Sequence, residues 1–273
     1  MKTKSALSYF GSDSEVASRL ASMLDDCKHV TIPFCGGMSI LPFLKARAIV
    51  ANDLNEFAIN FYRHASGLMG KECQQQLFER CELTLSHPSE MYDARARLAH
   101  PAWKGSWGQA WAYWAQCWIG RKGKGGTDSP ATMPSVRRTA SGGTNASRIR
   151  AAASDLHEWA KHFERCEWES VCFRELIPKV ADNPECGVYC DPPWIGAGDG
   201  YLHTFSAEDH SELEFLLRRF EATTVVIRYG DCATVRDLYS HPRWRILEAE
   251  SRDQCNAIKG EIWIMNKVDA RQS

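Results

Sequence analysis

The residues with the most specific chemistry are Asp191, Pro192, Pro193 and Trp194, which follow the apolar run Gly187 to Cys190. Two consecutive prolines fix backbone torsions and remove two N–H donors, leaving a stiff corner that displays acceptors. The Asp191 carboxylate and the Pro192 carbonyl are both placed to accept from one donor group. An exocyclic amino group has two N–H bonds to satisfy such a pair. Engaging those hydrogens leaves the nitrogen lone pair free to attack an electrophile. Trp194 offers a flat face for an aromatic ring, and stacking of a base on such a face contributes about 1–3 kcal/mol.

A second constellation lies near the start of the chain. Pro33-Phe34-Cys35-Gly36-Gly37-Met38-Ser39 follows the apolar run from His29, and its glycines allow a small ligand to approach the backbone closely. Asp53 ends a second apolar run, 17 residues after Gly36. That is near the spacing at which an acidic side chain accepts from ribose hydroxyls. The pattern is not the dinucleotide motif G-x-G-x-x-G, and taken alone it also describes an ordinary strand-end turn.

These residues need strands to carry them. The runs His29–Phe34 and Arg47–Ala51 read as buried strands of a parallel sheet, as do Trp168–Phe173, Gly187–Cys190 and Thr223–Arg228. Helices are expected over Ser12–Asp26, Asn55–Ala65 and Glu208–Phe220. The last is expected to be capped by Ser206, with Asp209 completing a capping box. Trp244–Ala249 and Glu261–Met265 read as a terminal antiparallel pair. The alternation defines an open α/β sheet.

The interval from Ser86 to Ala151 interrupts that alternation. Trp103, Trp107, Trp111, Trp114 and Trp118 share one helical face, either packing an insert or stacking on bases. The following stretch, rich in Gly, Ser, Thr and Pro, reads as a loop. Between Arg121 and Arg150 it carries Arg121, Lys122, Lys124, Arg137, Arg138, Arg148 and Arg150 against the single acid Asp128. With a net charge of −1 for the whole chain, any nucleic-acid face must be local. His203 is read as either exposed or facing substrate, and His210 as a helix surface residue.

The composition, 44% apolar and 25% charged over 273 residues, is that of a globular chain rather than a disordered one. No apolar run reaches the length of a membrane span, so no membrane partner is expected. Eleven scattered cysteines without a Cys-x-x-Cys pair read as reduced, mostly buried thiols of a cytoplasmic protein, and no metal is expected.

Taken together these segments resemble the Dam-like family of DNA adenine methyltransferases, the alpha class of amino methyltransferases. SYFGSDSEV is similar to that family's N-terminal Y-x-G-G-K motif, PFCGGMSI to its F-x-G-G motif, ANDLNEFAINFYR to its acidic second-strand motif, and YCDPPW to its catalytic D-P-P-Y. The motifs occur in the family's order, and the likeness covers most of the chain. It implies a Rossmann-like methyltransferase sheet, mostly parallel with an antiparallel C-terminal hairpin. The catalytic domain would span 1–85 and 152–273, and the target-recognition insert 86–151. It implies S-adenosylmethionine as donor and the N6 of an adenine flipped out of double-stranded DNA as acceptor. Phe34, Cys35, Gly36 and Gly37 would line the donor, Asp53 would hold its ribose, Tyr9 and Gly11 would close one side, and Asp191 would lie beside it. Asp191, Pro192, Pro193 and Trp194 would form the catalytic motif.

Two departures bear on this reading. Ser12-Asp13 stands where the family has Gly-Lys, and Trp194 stands where it has Tyr. D-P-P-W also occurs in a family of RNA adenosine methyltransferases, but there it precedes the cofactor glycines. Transfer to cytosine N4 or to RNA, or a catalytically silent DNA-binding protein, are the competing readings.

Overall fold

The computed structural model describes residues 5–9, 14–120, 144–195, 203–252 and 258–266. Among the described residues the chain runs α1 (Ser14–Ser22), β1 (His29–Ile32), β2 (Ala48–Asn52), α2 (Glu56–Ala65), α3 (Lys71–Glu82), α4 (Pro88–Ala99), α5 (Trp107–Ile119) and α6 (Asn145–Phe163). It continues through β3 (Cys166–Glu169), α7 (Phe173–Leu176), β4 (Cys186–Cys190), α8 (Ala207–Arg218), β5 (Thr224–Gly230), α9 (Ala233–Leu238), β6 (Arg245–Arg252) and β7 (Ile258–Met265). None of these helices is long and apolar enough to cross a membrane.

The strands form one seven-stranded sheet in the order β3-β2-β1-β4-β5-β7-β6. β1 pairs in parallel with β2 and β4, and β4 with β5, whereas β7 is antiparallel to both β5 and β6. This is the α/β sheet expected from the sequence, with its C-terminal hairpin inserted edgewise. From β1 the chain goes to β2 on one side, while β4 lies on the other. The strand order therefore reverses between β1 and β4, and a crevice outside the carboxyl ends of such strands is where open α/β sheets bind ligands.

The chain divides into two compact units. One comprises Met1–Ser12, Gly36–Pro42 and Asn55–Trp168; the other comprises Asp13–Cys35, Phe43–Leu54 and Glu169–Ser273. Residues 86–151 fall inside the first.

In the second unit the sheet residues alternate between two cores. Val188, Cys190, Val225, Ile227, Tyr229, Ile262 and Ile264 point to one face and pack with Leu213, Leu217, Val235 and Tyr239 from α8, α9 and the residue after α9. α8 starts at the capping box expected of Ser206 and Asp209. On the opposite face Gly187 meets Leu24 and Cys27, so closely that a Cβ there would sit 2.8 Å from Leu24 and 2.9 Å from Cys27. Arg19 of α1 lies over the Trp263 ring on the same unit.

The first unit is helical, with α5 packed against α2, α3, α4 and α6. α5 has no charged residue, which suits a helix enclosed by its neighbours. Trp111 and Trp114 are fully buried, and the Trp118 indole donates to the Ala6 carbonyl at 3.2 Å. The Trp111 indole donates to Thr84 at 2.8 Å, and Arg80 stacks on its ring. The tryptophan face of α5 is thus packing surface. Trp103 belongs not to α5 but to a short 3-10 turn before it.

Two sequence-based assignments need correction. The strand expected over Trp168–Phe173 is shorter and earlier, because the backbone after Glu169 is taken up by other partners. The Ser170 hydroxyl donates to the Asp53 carbonyl, the Val171 N–H donates to the Asn52 side chain, and Phe173 starts α7. The loop expected up to Arg150 already turns helical at Asn145. There Thr144 caps α6, and Ile149, Ala152, Ala153, Leu156, Trp159 and Phe163 form its buried face.

Candidate active site

Asp191 is the first residue beyond β4, at the carboxyl end of the strand flanking the reversal in strand order. Its side chain keeps 29% of its surface exposed. Both carboxylate oxygens have protein donors. Oδ1 accepts from Trp194 Nε1 at 3.2 Å, and Oδ2 accepts from Arg228 Nη1 at 3.3 Å. The Tyr189 hydroxyl also donates to Oδ2, at 3.5 Å. These are long for hydrogen bonds to a carboxylate, whose charge-assisted contacts run at about 2.7–2.9 Å, and Oδ1 keeps a second lone pair. Asp191 is thus a half-exposed acceptor held from behind.

Trp194 is held from two directions. Its indole N–H is tied to Asp191, and its ring lies on Gly230, where a Cβ would come within 2.6 Å of the ring. Pro192 is buried and Pro193 half-buried, consistent with a stiff corner.

Behind Asp191 is a buried ion pair that the motifs do not reveal. Arg228 of β5 donates Nε and Nη2 to the two oxygens of Glu261 on β7, each at 2.8 Å. In the β5–β7 register Arg228 faces Trp263 and Gly230 faces Glu261. Arg228 and Glu261 are therefore diagonal neighbours on one sheet face. Trp263 Nε1 also donates to Glu261, at 2.6 Å. The sequence does carry a signal for the pair: a lone arginine in TVVIRYG and a lone glutamate in EIWIM, since a charge within a buried strand requires a partner. Burial raises the Asp191 carboxyl above the usual carboxylate range. The Arg228 charge opposes that shift and the Glu261 charge adds to it. Arg228 is itself held above its ordinary value, its burial outweighed by the two carboxylates.

The ends of β1 and β2 belong to the same unit. Asn52 fixes them: its Nδ2 donates to the Pro33 and Val171 carbonyls at 2.9 and 3.0 Å, and its backbone carbonyl accepts from the Cys35 N–H at 2.8 Å. Asp53 follows, half-exposed, at the carboxyl end of β2. Phe34 packs against Phe173 and Phe205, and Cys35 is buried. The second unit thus gathers Phe34, Cys35, Asp53, Asp191, Pro192, Pro193 and Trp194 at the carboxyl ends of β1, β2 and β4.

In the first unit Gly36 takes a positive φ of 46°, which a side chain would strain. A Cβ at Gly37 would be tight, 3.0 Å from both the Leu7 carbonyl and the Tyr9 Cβ. The Tyr62 hydroxyl donates to the Gly36 carbonyl at 2.6 Å. Tyr9 and Tyr113 share a hydrogen bond of 2.6 Å between hydroxyls, and Asn55 Nδ2 donates to both.

Gly11, Arg121, Lys122, Lys124, Arg137 and Arg138 lie outside the described residues, as do Ser12 and Asp13. Arg150 is exposed on α6, whereas Arg148 is half-buried and donates to the Trp118 and Gly120 carbonyls at the end of α5. His203 is exposed. His210, expected on the helix surface, is instead buried, with Nδ1 2.7 Å from the Tyr229 hydroxyl and its ring edge-on to Phe205. Tyr229 draws the imidazole inward, because a buried hydroxyl requires a partner. Among the described residues no group of three or more His, Cys, Asp or Glu side chains is arranged to hold a metal ion.

No protein-family profile and no curated protein matches the sequence. Among solved structures, the chain is similar to an O-methyltransferase from Bacillus cereus determined in complex with SAH. The identity is 8%, the coverage 93% of this chain and 82% of that one, and the TM-score 0.40. It is also similar to an rRNA methylase from Streptococcus thermophilus, at 13% identity, with 92% and 94% coverage and a TM-score of 0.38.

Proposed function

We propose that this chain is an S-adenosylmethionine-dependent methyltransferase acting on the N6 amino group of adenine in DNA. The observation that carries this reading is the position of Asp191-Pro192-Pro193-Trp194. A half-exposed carboxylate and an anchored aromatic ring stand together at the carboxyl end of β4, beside the reversal in strand order. The order of the sequence motifs supports it.

The residues of the second unit fit a donor that carries a nucleoside. Asp53 presents a half-exposed carboxylate at the end of β2, suited to ribose hydroxyls, and Phe34 presents an aromatic ring at the end of β1. The assignments of Tyr9, Gly36 and Gly37 to the same ligand belong to this proposal. S-adenosylmethionine, when bound, supplies an activated methyl group. The chain's own residues orient the acceptor. Asp191 and the Pro192 carbonyl accept the amino hydrogens and keep the nitrogen lone pair directed away from them. Trp194 stacks on the base. Holding the amino group in this way contributes to an effect that reaches about 7–11 kcal/mol in well-oriented systems. In duplex DNA the base must first leave the stack, at a cost of a few kcal/mol. The proton of the methylated ammonium is lost to water. The basic stretch from Arg121 to Arg150 is the proposed phosphate-contacting segment.

The test is incubation with labelled donor and unmethylated duplex DNA, followed by digestion to nucleosides. Label in N6-methyladenine is the expected result. Label in N4-methylcytosine reassigns the acceptor. DNA binding without label would leave a silent binding protein in place of an enzyme.

A further inference from the structure

The Arg228–Glu261 pair has a feature that a simple structural ion pair does not need. Arg228 spends two of its three nitrogens on Glu261, at 2.8 Å each, and turns the third toward Asp191 at 3.3 Å. Glu261 is fully buried and Arg228 nearly so, whereas Asp191 keeps 29% of its surface. The guanidinium fork is therefore fixed by the partner that never meets solvent, and only one donor reaches the partner that does. Trp263 holds Glu261 in turn.

We propose that Arg228, clamped by Glu261, is a positioning residue for Asp191, holding that carboxylate by Oδ2 in one orientation with Oδ1 available to accept from the substrate. A bidentate grip on Asp191 would have occupied both oxygens. A single long contact from the guanidinium, on Oδ2 beside the Tyr189 hydroxyl, restrains the carboxylate and leaves Oδ1, which accepts from Trp194, with a lone pair to accept from substrate. The proposal rests on the methyl-transfer role given to Asp191, but the Arg228–Asp191 coupling itself is measurable without activity.

The other titratable groups facing Asp191 among the described residues are Tyr189, Cys190 and Tyr229. Burial raises all three above their ordinary values, so they stay neutral near pH 7. Arg228 and Glu261 are then the charges that act on it, and the nearer Arg228 outweighs Glu261.

The test uses the full chain with Arg228→Met/Glu261→Gln, which removes both charges and keeps an acceptor for Trp263. Carbon-13 labelling of aspartate carboxyls gives the Asp191 titration by NMR, assigned with Asp191→Asn. The Asp191 midpoint is expected to rise, because the lost Arg228 charge, which lowers it, outweighs the lost Glu261 charge, which raises it. If the wild-type chain transfers methyl, kcat in the double variant falls at least about tenfold, with the KM for donor little changed. An unchanged Asp191 midpoint in the folded double variant overturns the proposal. Arg228→Lys provides a second route, since it keeps the charge and loses the fork. A reduced kcat with an unchanged donor KM supports the proposal, and a wild-type kcat in this variant overturns it. A wild-type chain without transfer activity would remove the enzyme reading, while the titration would still decide whether Arg228 controls Asp191.

Discussion

The indole N–H of Trp194 donates to Oδ1 of Asp191 at 3.2 Å, so the proposed stacking surface and the proposed amino-group acceptor are one mechanical unit. Gly230 lies against the other side of the ring, and Arg228 reaches the other carboxylate oxygen. A base resting on Trp194 would be referenced to Asp191 through a bond rather than through backbone alone.

Asp191→Asn therefore tests charge and geometry together. Asn keeps one acceptor oxygen but loses the charge that pairs with Arg228. Methyl transfer is expected to fall at least about 100-fold, the scale on which removal of one preorganised electrostatic partner acts. Donor binding, measured by calorimetry, should stay within about threefold of wild type, since the change is directed at the acceptor. Near-normal turnover would remove Asp191 from the chemistry.

Gly230→Ala probes the rest position of Trp194. The added Cβ would lie 2.6 Å from the indole, inside van der Waals contact, and the ring is packed against the core beneath it. Overpacking of this kind costs about 1–3 kcal/mol, read as a lowered denaturant midpoint. Because the ring must shift off Gly230 and so change its position relative to Asp191, kcat/KM for the nucleic acid should fall while donor affinity stays. Unchanged stability and activity would mean that Trp194 is free to swing.

What the sequence conveys and what it withholds follow from the same physics. The apolar runs of β1, β4 and β5 and the capping box of α8 are local signals, and the structure follows them closely. The partners of Asp191 come from β5 and β7, distant in the chain, and no local spacing encodes that meeting. The isolated Arg228 and Glu261 in apolar strands announce a buried pair without naming its members. The burial of His210 is not legible locally, because Tyr229, which draws it inward, lies on another element. The start of α6 is hidden by Thr144, Asn145 and Ser147, residue types that resemble a loop, although Thr144 serves as the helix cap.

Asp53→Asn addresses the donor. A carboxylate accepting from hydroxyls makes hydrogen bonds of about 1.5–3 kcal/mol against about 0.5–1.5 kcal/mol for a neutral amide, a difference of about 1–1.5 kcal/mol that corresponds to roughly 5–10-fold in Kd. Equilibrium dialysis with S-adenosylmethionine should show that loss, with kcat at saturating donor nearly intact. An unchanged donor affinity would contradict the ribose assignment.

His210 gives a pH prediction independent of activity. Burial lowers its pKa below the ordinary imidazole value. Above that ordinary value both folded and unfolded chains hold it neutral, and its contribution to stability is fully present. As pH falls through about 6.5, the unfolded chain takes up a proton that the folded chain resists. Stability is then lost at about 1.4 kcal/mol for each pH unit over which only the unfolded chain is protonated. His64 and His162, lowered by burial in the same direction, add to the trend. His210→Gln keeps a polar partner for Tyr229 and cannot titrate. Urea unfolding between about pH 7 and pH 5 should show a smaller loss for the variant than for wild type. Equal losses would place the acid sensitivity elsewhere.

Arg148 and Arg150, two residues apart on α6, are expected to behave differently although both belong to one basic stretch of sequence. Arg148 donates to the Trp118 and Gly120 carbonyls at 2.7 and 3.2 Å, satisfying acceptors that the end of α5 leaves unpaired. Arg148→Ala should cost about 1.5–3 kcal/mol of stability through lost charged hydrogen bonds. Arg150 is exposed, so Arg150→Glu should leave stability within about 0.5 kcal/mol. Its effect should be on nucleic-acid binding. If Arg150 meets a phosphate, reversing its charge should reduce the slope of log K against log salt by about 0.9 or more, measured by fluorescence anisotropy across salt concentrations on duplex DNA. An unaltered slope would exclude Arg150 from the phosphate contacts and confine the DNA-facing charge of this stretch to its remaining basic residues.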